Sequence, residues 1–156
     1  MKIVKEHINE IFSKSEDKLT SLGVGKKSQI KEWMTNLSRM CLNDTIIPPR
    51  YEINKDLTID VDSHLYLPGN FGNLPSFIQF NIVAGDFNCV NCDMTTLRGC
   101  PKKVGGYYDC SFNKLKNLDY APTHVSSHFS CGDNCLLDKD EVDEYKRKIL
   151  YNNEIS

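Results

Sequence analysis

Through the middle of the chain, apolar positions recur at a fixed interval. Val83, Phe87, Cys89, Met94, Leu97 and Pro101 are each followed 21 residues later by Val104, Tyr108, Cys110, Leu115, Leu118 and Pro122. Val125, Phe129, Cys131 and Leu136 continue the series. A repeat of this length is one turn of a coil, with one strand and one return segment, and a single turn cannot bury its own apolar side. Stacked turns bury a continuous ladder. Alternation sends Phe87 and Cys89 inward and leaves Asp86, Asn88 and Val90 facing out. A degenerate earlier turn is read at Val61, Leu65, Leu67 and Asn70, with one extra residue before Val83. Asn70, Asn113 and Asn134 each follow the inward thiol or leucine by three residues. They are expected to point inward and bond backbone groups left free where the strand turns. Cys92 replaces asparagine in its turn, so a local irregularity is expected there.

The flanks follow a helical period. Ile3, Val4, Ile8, Ile11 and Phe12 form a stripe, and Leu19 and Leu22 precede Gly23, a helix stop. Ser28 is read as the cap of a helix with Ile30, Trp33, Met34, Leu37, Met40 and Cys41 on one face, ended by Pro48 and Pro49. Tyr51, Ile53, Leu57, Ile59 and Val61 alternate about Asn54-Lys55-Asp56, which predicts a hairpin. Asp138 and Glu141 form a variant capping box with Leu137 and Val142 as its staple, and Val142, Tyr145 and Ile149 share one face of a helix over about 139–151. The expected fold class is α+β. A helical region or cap covers 1–48, a hairpin entry and solenoid 49–137, and a capping helix and tail 138–156. Both helical regions are assigned to covering the apolar ends that a solenoid exposes, with the alternative that helix 2–13 or the Trp33 face also touches a partner.

The units VGGYYDCSFNKLKNLDYAP and VAGDFNCVNCDMTTLRGCP resemble leucine-rich repeats in small proteins of tailed bacteriophages. Those repeats read roughly Val-Gly-Gly-x-Phe-x-Cys-Ser-x-Asn-x-Leu-x-x-Leu-x-x-x-Pro, and YEINKDLTIDVDSHLYL looks like the entry strand before them. The resemblance covers residues 50 to 137. It implies a short leucine-rich-repeat-like solenoid of phage origin, working in the host bacterial cytoplasm. It implies no particular activity.

Composition narrows the partners. Of 156 residues, 40% are hydrophobic and 26% charged, ordinary for a soluble globular chain. A net charge of −2 gives no positive field to gather nucleic acid, and Lys26, Lys27 and Lys31 read as a solvated helix start. No apolar run approaches the roughly 20 residues that span a bilayer, and Met1–His7 lacks the apolar stretch of a signal peptide. A cytoplasmic protein with no nucleic-acid or membrane partner is expected.

Seven cysteines, an odd number, do not suit a secreted disulfide framework. Cys89-x-x-Cys92 and Cys131-x-x-x-Cys135 have zinc-knuckle spacings. Cys89 and Cys131 lie two coils apart, however, on the order of 10 Å at ~4.8 Å per strand, too far for one tetrahedral site. His128 and Cys131 should face opposite ways, His124 lies in a return loop, and His7 and His64 are far in sequence from the coil thiols, so no nucleophile–base pair is expected. Asp60 and Asp62 read as a solvated strand face, and no phosphate-binding glycine loop is present. No catalytic residue, metal ligand or cofactor is assigned.

The outward strand positions remain. They are Asp86, Asn88 and Val90, then Tyr107, Asp109 and Ser111, then His128, Ser130 and Gly132, extended by His64 and Tyr66. Asp86, Tyr107 and His128 are expected to form one row and Asn88, Asp109 and Ser130 another. Tyrosine on a rigid sheet is a favoured interface anchor. The expected function is non-enzymatic binding of a host protein, as modulator or inhibitor. The alternatives are a cysteine-based metal protein or enzyme, and a self-assembling structural protein.

Overall fold

The computed structural model describes residues 25–41 and 50–154. The chain divides into two compact units, residues 1–48 and 49–156. In the first, helix α1 spans Lys26–Cys41. Ile30, Trp33, Met34 and Leu37 are buried and Met40 is half-buried, as the i, i+3, i+4, i+7 stripe dictates. The helix begins earlier than the Ser28 cap implies. The Gly25 carbonyl accepts the N–H groups of Ser28 at 2.9 Å and Gln29 at 3.2 Å, so Gly25 occupies the cap and Ser28 lies in the first turn. The stripe at Ile3–Phe12 and the stop at Gly23 lie outside the described residues.

The second unit is a β-solenoid closed by a helix. Its strands are β1 (Tyr51–Ile53), β2 (Ile59–Val61), β3 (Leu65–Tyr66), β4 (Phe80–Val83), β5 (Phe87–Asn88), β6 (Lys103–Val104), β7 (Tyr108–Asp109), β8 (His124–Val125) and β9 (Phe129–Ser130), followed by α2 (Lys139–Glu154). They form two sheets, β1-β2-β4-β6-β8 and β3-β5-β7-β9. The entry hairpin β1–β2 is antiparallel, and every other pairing is parallel. From β3 to β9 the chain makes three turns, so four rungs stack in the second sheet.

Each coil therefore carries two short strands where the repeat reading gives one. The reason is the step of four between the buried valine and the buried aromatic ring. Val104 and Tyr108 are both fully buried, and the chain bends between them at Gly105 and Gly106. A single extended strand would put positions four apart on one face with no bend; a corner lets each begin or end its own sheet. The aligned rings stack down the interior. Phe87 and Tyr108 have centroids 4.9 Å apart, Tyr108 and Phe129 5.3 Å. Cys89 and Cys110 are fully buried beside them, and Cys131 is buried in the last rung.

The asparagine ladder forms where the second strand ends. The Asn113 amide donates to the carbonyls of Cys89 at 2.8 Å, Cys110 at 3.0 Å and Ser111 at 3.2 Å. Its Oδ1 accepts the N–H groups of Cys92 at 3.1 Å and Met94 at 2.9 Å. Asn134 repeats this one coil on, with donations to Cys110, Cys131 and Gly132 and an N–H from Leu115. Asn70 does not belong to the ladder. Its N–H bonds the Asn91 carbonyl, and Phe71, which is buried, takes the place level with Cys92. The extra residue of the first coil sits at Pro68-Gly69, between Leu67 and Asn70, and moves Asn70 back by one position. Asn70, Asn91, Phe112 and Asp133, all with positive φ, make the left-handed corner residue of the four coils.

The irregularity at Cys92 is visible. Its thiol points at the carbonyls of Pro68 at 3.3 Å and Val90 at 3.6 Å, where an asparagine amide would donate. A thiol is a weak donor, and this coil has a second left-handed residue, Asp93, with no counterpart in the two coils after it.

Helix α2 closes the last coil. Asp138 Oδ1 accepts from the N–H groups of Asp140 at 2.8 Å and Glu141 at 3.2 Å, a proper N-cap. Glu141 does not complete the box, because its carboxylate accepts the Leu118 N–H at 2.8 Å instead. Tyr145 packs edge-on against Phe129, its hydroxyl donates to the Pro122 carbonyl, and Ile149 is buried. Asn152 and Asn153 donate to the carbonyls of Thr123 and Val125, so the helix covers the open edge of β8 with side-chain donors. Among the described residues no helix is long and apolar enough to cross a membrane.

Candidate binding face

Strand register brings the outward residues into rows. Tyr66, Asn88, Asp109 and Ser130 are successive partners across β3-β5-β7-β9. Two residues earlier, on the same outward side, stand His64, Asp86, Tyr107 and His128. The two rows are not equally free. Asn88 Oδ1 accepts the Val90 N–H at 3.0 Å and Asp109 Oδ1 the Ser111 N–H at 2.9 Å. These side chains close the turn that ends each strand, which leaves them half-buried and partly occupied.

Ser111 is the residue of the expected face that the structure withdraws. It is 8% exposed. The strand ends at Asp109, so alternation no longer decides which way Ser111 points, and Gly132 of the next coil stacks beside its hydroxyl. Val90 is half-buried at the equivalent corner and Gly132 is exposed.

The other row is joined into a cluster around Asp86. Asp86 Oδ1 accepts the Tyr107 N–H at 3.0 Å, and Asp86 Oδ2 lies 3.3 Å from the Tyr66 hydroxyl and 3.0 Å from His64 Nδ1. The Asp86 N–H donates to the same Nδ1 at 2.9 Å. As that acceptor, the neutral ring carries its proton on Nε2; a protonated ring would give Nδ1–H to the carboxylate. His64 stacks on Tyr66 with centroids 5.7 Å apart, and Tyr107 on His128 at 5.4 Å. Burial, then the hydroxyl of Tyr107 and the carboxylate of Asp86, hold the Tyr66 phenol well above its ordinary range, so it stays a donor. Gly106 makes this geometry possible, because a Cβ there would fall on the Asp86 carboxylate.

The face thus presents His64, Tyr66 and Tyr107 about one carboxylate, with His128 stacked on Tyr107, backed by a stacked ladder. Such groups offer large contact area with few rotors to freeze.

Phe112 is a candidate the sequence reading passed over. It is 57% exposed and sits at the left-handed corner with φ 57°, where its neighbours along the stack are Asn91 and Asp133. Asparagine and aspartate tolerate that backbone; a phenylalanine there costs roughly 1 kcal/mol. The legible signal was the mismatch itself, an aromatic residue one place before the ladder asparagine.

The thiols are placed for packing. Cys92 is pushed up to about 12 by burial. Cys89 is raised by its hydrogen bond with Cys100 and by burial, and Cys110 and Cys131 chiefly by burial. Protonated thiols are poor nucleophiles and poor metal ligands. Cys131 is buried while His128 is exposed. Among the described residues no three of His, Cys, Asp and Glu gather as a metal ion would need. Comparison with protein-family models, with curated proteins and with solved structures gives no match.

Proposed function

We propose that this chain is a non-enzymatic protein-binding module whose docking surface is the outward face of the sheet β3-β5-β7-β9. The observation that carries this reading is the Asp86-centred cluster of His64, Tyr66, Tyr107 and His128. Its rings are held by backbone and side-chain bonds on a stacked scaffold, so little ordering remains to be done on binding. The raised thiols speak against cysteine chemistry as the activity, since a reactive thiol needs the opposite environment. The likeness of the coils to leucine-rich repeats of small tailed-phage proteins points to a host bacterial protein in the cytoplasm as the partner, which the module would modulate or inhibit.

Tagged protein expressed in a bacterial host tests this. Wild type is expected to retain a specific host protein. The double variant Tyr107→Ala, His128→Ala, folded to the same circular-dichroism spectrum, is expected to retain it at least tenfold less. Equal retention of every partner by both proteins would remove the face from the account.

A further inference from the structure

The two sheets are finished differently at the C-terminal end. In the first, α2 supplies donors to the last strand. In the second, β9 pairs with β7 and with no other strand. The backbone shows what is missing. Within the ladder, the N–H of each inward residue donates to the next coil. Leu65 bonds Asp86, Phe87 bonds Tyr107 and Tyr108 bonds His128; one step along, Leu67 bonds Asn88, Cys89 bonds Asp109 and Cys110 bonds Ser130. At the top rung the equivalent donors are Phe129 and Cys131, and among the described residues neither has an acceptor. An unpaired row of this kind is a template for another strand.

Beside that edge, between β9 and α2, lies a recess of about 210 Å³ whose apolar walls are Phe129, Ile149 and Leu150. Leu150 is 62% exposed. Lys146 is the lining side chain with a permanent charge, and His128 sits at the other side. An edge with free donors next to an apolar slot is the arrangement that binds extended peptides: main-chain bonds give affinity and the slot takes alternate side chains.

We propose that β9 is a strand-addition site for an extended segment of a partner protein, with an apolar side chain seated in the recess and a carboxylate toward Lys146. This surface shares His128 with the Asp86 cluster, where that ring stacks on Tyr107, while its free donors and apolar walls lie outside the cluster. The backbone repeat specifies the occupant's conformation, because only an extended chain can present a carbonyl to Phe129 and again to Cys131. The lysine specifies the sign of its charge.

Amide hydrogen exchange on the whole protein, free and with a pool of random eight-residue peptides, tests the site. In the free protein the Phe129 and Cys131 amides should exchange at least a hundredfold faster than those of Phe87, Cys89, Tyr108 and Cys110. Peptides selected from the pool should be acidic with one large apolar residue and should slow exchange at Phe129. Leu150→Glu and Lys146→Glu, both solvent-side changes on α2, should each weaken the selected peptides at least tenfold, and His64→Ala, at the far end of the stack, should not. Protection of Phe129 in the free monomer would show the edge already filled. Protection that rises with protein concentration alongside a dimer in light scattering would make a second copy the occupant. A pool that yields no binder, or binders indifferent to Leu150→Glu, would contradict the site. Each of these overturns the proposal.

Discussion

Asn113→Ala is expected to destabilise the solenoid by about 4 kcal/mol, near the upper end for a single substitution. The side chain is 5% exposed and serves five backbone groups in two successive coils: the carbonyls of Cys89, Cys110 and Ser111 and the N–H groups of Cys92 and Met94. A methyl group leaves all five in a dry turn. Each stranded group costs about 1–3 kcal/mol if nothing replaces its partner, and partial relaxation or water entry keeps the sum well below five times that. The melting temperature should fall by about 15 °C or more. Asn113→Asp should be as damaging, since the carboxylate can accept from Cys92 and Met94 but repels the three carbonyls. Asn117→Ala is the control: it is exposed and serves one N–H, that of Asp119, so its cost should stay under about 0.5 kcal/mol. Thermal and urea melts followed by circular dichroism read all three.

Gly105→Ala should come second, at about 3 kcal/mol. The glycine N–H bonds the Val83 carbonyl at 2.9 Å, and the space where a Cβ would sit is filled by the Ala84 carbonyl of the coil below. That obstacle is backbone, so no rotamer change relieves it; the two coils must part or slide. The last coil carries Ser126 and Ser127 at the matching places, so the demand for glycine belongs to this one step in the stack. A melt that barely moves would contradict the close approach of Gly105 to the Ala84 carbonyl.

Much of the solenoid was legible because a stack of equal coils writes its own spacing into the chain. Val83, Val104 and Val125, the rings of Phe87, Tyr108 and Phe129, and the three thiols all pair in the register their intervals predict. The second strand of each coil was harder to read. At two residues per strand there is no alternation to see, and the corner is marked only by the small residues between two buried positions four apart. Asn70 was misplaced for a related reason. Two coils of unequal length can be aligned from either end, and the Pro68-Gly69 insertion decides which end holds. At the candidate face, Asp86, Tyr107 and His128 could be read off because they flank the strands. Ser111 could not, because a side-chain turn at Asp109 ends the strand just before it. The bonding of His64 and Tyr66 to Asp86 crosses an interval of 22 and 20 residues and depends on register that no local pattern encodes.

The account rests on thiols that serve as interior packing in a stacked ladder, and site-resolved alkylation of the native protein tests it most directly. Iodoacetamide at pH 8, with peptide mass spectrometry, should modify Cys135, which is exposed. Cys89, Cys92, Cys100, Cys110 and Cys131 should stay unmodified for hours, with or without a chelator, and all should react once the chain is unfolded in urea. Ladder thiols that label as fast as Cys135, or that become reactive only when a chelator is added, would contradict the stacked interior.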